Sequence, residues 1–83
     1  MTERQIEAGW TAKASVALRG KTVKEVRYLS KEEAQSLGWR CRPLVIVEND
    51  DSLVFPSADD EGNDGGALFG QTASGGDLSF PVL

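Results

Sequence analysis

Apolar and polar positions along this 83-residue chain change their period several times, and each change marks an element. Residues 1–19 admit two readings. Ile6, Trp10, Ala14, Ala17 and Leu18 recur at helical spacing, with Thr2 and Gln5 placed as a capping box. Ala12, Ala14, Val16 and Leu18 alternate as in a strand, and Gly9 weakens a helix where it stands. The pattern is read as a short helix or mobile arm to about Gly9, followed by an extended piece.

Gly20 marks a turn, and residues 21–29 are rich in Val, Thr and Tyr, as a strand requires. Val23, Val26 and Tyr28 break strict alternation at Lys24 and Glu25, which predicts a β-bulge there. Ser30 and Glu33 then form a capping box. The hydroxyl accepts from the Glu33 amide and the carboxylate accepts from the Ser30 amide. Glu32 and Glu33 favour the first turn of the same helix. Ala34 and Leu37 are expected to pack inward, and Gly38 to end the helix.

Beyond the connector 39–43 the period changes again. Leu44, Val45, Ile46 and Val47 are apolar in succession, which suits a strand covered on both faces or one in a closed barrel wall. A turn at 49–52 and a return strand at 53–55 complete a hairpin, ended by Pro56. Residues 67–69 make a short strand, 71–76 a turn of small residues, and Leu78, Phe80 and Val82 alternate as a last strand with Pro81 at an edge. These elements predict a mainly β fold: a small antiparallel five-stranded barrel, similar to a Src-homology-3 barrel, with one short inserted helix. Closure would protect the edges of such short strands. An α+β sheet with the helix on one face is the alternative. Residues 20–83 are read as one small domain and residues 1–19 as an arm.

Charge divides the chain in two. All nine Lys and Arg lie at or before Arg42 and, with five acids, leave +4; the eight acids beyond leave −8. An acidic half argues against free nucleic acid as a partner. No apolar run approaches a membrane span, and a polar N-terminus argues against a secretory signal. Cys41 is the single cysteine, so no internal disulfide forms and the cytoplasm is the expected compartment. Cys41 lies between Arg40 and Arg42, which would activate a thiol, but a single cysteine is read as an inert small hydrophobe.

Histidine is absent, which removes Ser-His and Cys-His catalytic pairs. The loop 57–66 gathers Asp59, Asp60, Glu61, Asn63 and Asp64 among glycines. Asp59, Glu61 and Asn63 alternate as ligands do in calcium loops, but the sixth position is Asp64 rather than Gly and the twelfth is Gly70 rather than Glu. The loop is therefore read as a solvated turn whose carboxylates cap backbone amides. Trp39, Arg40 and Arg42 form an aromatic and basic cluster of a type enriched in interfaces; the competing reading has Trp39 in the core.

One further pattern is specific. The segment Phe55-Pro56-Ser57, then Asp59-Asp60-Glu61-Gly62-Asn63-Asp64-Gly65-Gly66-Ala67-Leu68-Phe69, with Gly20-Lys21, Val26 to Ser30, Leu37-Gly38-Trp39 and Arg42 to Ile46, resembles a group of small uncharacterised bacterial proteins. The resemblance covers residues 20–83. It implies a stand-alone protein and brings no activity, ligand or site residue.

The sequence thus points to a small non-enzymatic binding or adaptor module. Its site is read as Asp59, Asp60, Glu61, Asn63 and Asp64 of the loop with Trp39, Arg40 and Arg42. A metal-binding protein using the loop is the second reading and an enzyme the third. No cofactor is expected. The expected partner is a protein with a basic surface, not nucleic acid or a membrane, and the chain is expected to be a monomer or weak homodimer.

Overall fold

Residues 1–83 are all described by the structure, a computed structural model, and they build an α+β fold. The chain runs α1 (Glu3–Leu18), β1 (Val23–Tyr28), α2 (Lys31–Leu37), β2 (Leu44–Glu48), β3 (Leu53–Val54), β4 (Leu68–Gln71) and β5 (Asp77–Phe80). Helix α1 starts where the capping residues place it. The Thr2 hydroxyl accepts from the Gln5 amide at 3.2 Å, and the Gln5 side chain accepts from the Thr2 amide at 2.8 Å. The helix continues through Gly9 to Leu18, where an extended piece was expected. The reason is backbone satisfaction: no strand pairs with residues 10–18, and a segment without a β partner bonds its own amides only as a helix. No helix is long and apolar enough to cross a membrane.

Gly20 turns the chain with φ +81°. Strand β1 then pairs antiparallel with β2, and β2 with β3. The register slips between Val23 and Glu25, so the predicted bulge is present. The turn after β2 is held by Asp50, which accepts from the Ser52 amide at 3.0 Å. Lys21, just before β1, and Lys24 within it reach across to Asp50 and Asp51 at 2.8 and 2.6 Å.

Helix α2 carries the Ser30–Glu33 box, with bonds of 3.1 and 2.8 Å. Arg27 adds a bidentate pair to Glu33 at 2.8 and 3.1 Å. Gly38 ends the helix in the left-handed region, φ +75°. Ala34 is buried as expected, but Leu37 is exposed. The core is small: Leu29, Ala34, Val45 and Val47, with Trp39 and Phe55 packed against it. Full burial of Leu29 or Val45 contributes about 1.5–3 kcal/mol each.

The five-stranded barrel does not form. The three-stranded sheet β1-β2-β3 and the hairpin β4-β5 are separate sheets, with no ladder between β3 and β4. Closure would need a paired strand there, and β3 has only two residues. The loop that follows is joined to itself instead, by a bridge between Ser57 and Gly65.

Candidate functional site

The loop 57–66 is built by its own side chains. Asp59 accepts from the amides of Glu61 and Asn63 at 2.9 and 3.2 Å, and from the Asn63 side-chain amide at 2.8 Å. The Asn63 side chain, then the two backbone amides, hold the Asp59 carboxyl below its usual range. Gly62 takes φ +73°, a conformation that side chains with a Cβ resist. Its carbonyl accepts from the Trp39 indole.

Asp64 fastens the loop to the connector after α2. One carboxylate oxygen accepts from the amides of Arg40, Cys41 and Gly65 at 3.1, 2.9 and 2.8 Å. The Cys41 amide, followed by those of Gly65 and Arg40, lowers the pKa of this carboxyl from its ordinary value. Its main-chain carbonyl accepts from the Ala58 amide at 2.9 Å and the Ser57 hydroxyl at 3.1 Å. Gly65 is buried here because its backbone lies against Pro43 and the Cys41 carbonyl.

Trp39 joins the two halves. Its indole N–H donates to the Gly62 carbonyl at 2.7 Å, and its ring meets Phe55 edge-on at 5.5 Å. Such an aromatic pair adds about 0.5–1.5 kcal/mol beyond its burial. Trp39 is half-buried, so it packs on the core and still presents an edge to solvent. Cys41 is a free, half-buried thiol.

On the far side of Trp39 lies a concavity of about 470 Å³, lined by Lys31, Gln35, Trp39, Arg40, Arg42 and Leu83 among others. Arg42 fixes one wall by main-chain bonds to Leu83 in both directions, at 2.9 and 3.0 Å. Its guanidinium donates to the Leu29 carbonyl at 3.4 Å. Lys31, Arg40 and Arg42 make no ion pair, whereas Lys21, Lys24 and Arg27 each do.

The predicted residues therefore divide. Trp39, Arg40, Asp64 and Cys41 come together through backbone bonds. Asp59, Asn63 and Asp64 are occupied within the molecule. Asp60 and Glu61 stay exposed at the turn, where Glu61 reaches only the Asn63 side chain, at 3.4 Å. No three acids or thiols converge on a point that would hold a metal ion. Lys31 and Gln35, which sequence reasoning left aside, share one face of α2 four residues apart and complete the concavity. Comparison with protein-family models, curated proteins and solved structures returned no match.

Proposed function

We propose that this chain is a non-enzymatic binding module whose concavity beside Trp39 takes an acidic segment of a partner protein. The observation that carries the proposal is the set of three cationic side chains, Lys31, Arg40 and Arg42, around one hollow with no acid paired to any of them. The hollow falls in the size range of ligand sites, roughly 300–1,000 Å³. Guanidinium groups match carboxylates two oxygens at a time, and the Trp39 edge offers apolar contact between them. The loop supports this site: Asp64 fixes the main chain of Arg40 and Cys41, and the Gly62 carbonyl fixes the indole. This reverses the sign of the partner expected from the acidic loop, because Asp59 and Asp64 already have their donors.

The test is titration of the full chain with a glutamate-rich peptide and with a lysine-rich peptide, followed by amide chemical shifts. The glutamate-rich peptide is expected to shift Lys31, Gln35, Trp39 indole, Arg40 and Arg42 signals, and added salt to weaken it. Charge reversal by Arg40→Glu should abolish the effect with the fold intact. Shifts confined to Asp60 and Glu61 with the lysine-rich peptide would refute the reading.

A further inference from the structure

The molecule carries two apolar faces, one fully open and one half-covered. One belongs to α1, none of whose residues is buried. Ile6 and Trp10 follow each other along one stripe and are 47% and 64% exposed. An isolated helix of 16 residues is marginal in water, so it needs a tertiary partner. The other face belongs to the three-stranded sheet. Val26, Ile46 and Val54 pair across its strands in one row. Alternation places them opposite the side that Val45 and Val47 bury. With Leu44, Pro56 and Leu68, Ile46 and Val54 line an open cavity of about 180 Å³. The unbroken apolar run of β2 is the signature of a strand buried on both faces, whereas here Leu44 and Ile46 on the second face are only half-buried.

Two global measures agree. The accessible surface is 6421 Å², whereas a folded chain of this length exposes about 4,800 Å². The radius of gyration is 14.4 Å, against about 12 Å for a compact domain of the same length. The excess, roughly 1,600 Å² per chain or 3,200 Å² for two, falls within the range of obligate homodimer interfaces, about 2,000–5,000 Å².

Charge marks where that face closes. Glu48 follows Leu44 and Ile46 in the alternation of β2, is 5% exposed and leaves its Oε1 without a hydrogen-bond donor, while Lys21 of the same chain lies near enough to feel its charge. This end of the row is therefore enclosed within one chain, and the open part of the face is the row of Val26, Ile46 and Val54.

We infer that the missing cover is α1 of a second copy of this chain. In the reciprocal dimer, Trp10 of each copy enters the groove of Ile46, Val54 and Leu68 on the other. The concavity at Trp39 is lined by other residues, with Phe55 of the groove meeting Trp39 edge-on between the two.

The test uses the full chain and its oligomeric state by light scattering and sedimentation, with circular dichroism to follow folding. The parent is expected to be a dimer. Trp10→Glu, and separately Val54→Lys, each remove two anchors from a reciprocal dimer and should weaken it roughly thousandfold. Mixing the two variants should restore dimers, because the intact helix of one copy meets the intact groove of the other. The mixture also decides the case in which either variant alone is poorly folded. A parent that is monomeric would overturn the inference, whether Trp10 is shielded against its own body or stays in solvent. So would a dimer that survives both substitutions, or a mixture that recovers nothing.

Discussion

Gly65→Ala measures how tightly the loop is wedged against the connector. A Cβ added at Gly65 would stand 2.7 Å from Pro43 Cδ, 2.9 Å from the Cys41 carbonyl oxygen and 3.2 Å from Pro43 Cγ. None of these is the free end of a flexible side chain. Pro43 is fully buried, and the Cys41 carbonyl belongs to the main chain whose amide Asp64 holds. The new methyl must push the loop away or strain the connector, and overpacking of this kind costs roughly 1–3 kcal/mol. Loss of glycine's freedom in the unfolded chain offsets about 0.4–1 kcal/mol of that. The net destabilisation is about 1–2 kcal/mol. For a chain of this size each kcal/mol moves the melting temperature by roughly 4–8 °C. Thermal melts by far-ultraviolet circular dichroism, paired with urea titrations, read the change directly. Gly9→Ala is the control: nothing lies within 4 Å of its added Cβ, so a gain of about 0.5–1 kcal/mol in helix stability is expected. A Gly65→Ala protein that melts at or above the parent temperature would show that the loop does not pack on the connector as described.

Three further outcomes are expected. Ser30→Ala removes the cap of α2 and should lower stability by about 1 kcal/mol, read as a lower urea midpoint with an unchanged slope. The Arg27 guanidinium, helped by the Ser30 amide, lowers the Glu33 carboxyl to about 2; because the folded value lies below the unfolded one, this contribution is complete above about pH 4.5 and disappears as pH falls towards 2. Glu33→Gln should flatten that part of the acid-denaturation profile. Asp64→Ala should lower the melting temperature and shift the Trp39 indole signal, since three backbone amides lose their acceptor, whereas Asp60→Ala should leave both unchanged.

Local elements were legible where a side chain decides its own backbone. Ser30 and Glu33 close a box within four residues, Gly38 stops the helix, and the slip at Val23 and Glu25 follows from apolar spacing alone. The hairpin of β2 and β3 was equally plain, because an apolar run, a turn and a return strand specify each other. The first helix was half legible: Thr2 and Gln5 gave its start, but both helix and strand periods fitted residues 10–18. Only the absence of a neighbouring strand chose between them.

The site shows the same division. That 57–66 would be a turn followed from its glycines, Asp and Asn. Which acids are spent could not follow, because Asp64 finds its amides at Arg40 and Cys41, more than twenty residues earlier. Trp39 reaches Gly62 across a similar distance. Lys31 and Gln35 read as ordinary helix surface until α2 packed beside the connector. The barrel failed for a related reason: strand content can be counted along the chain, but closure depends on whether β3 and β4 meet. By itself the sequence determined which segments turn, cap and pair with near neighbours, since those bonds span a few residues. Which faces those segments cover, and which they leave open, was decided by contacts between residues far apart in the chain, and these exist only in the tertiary structure.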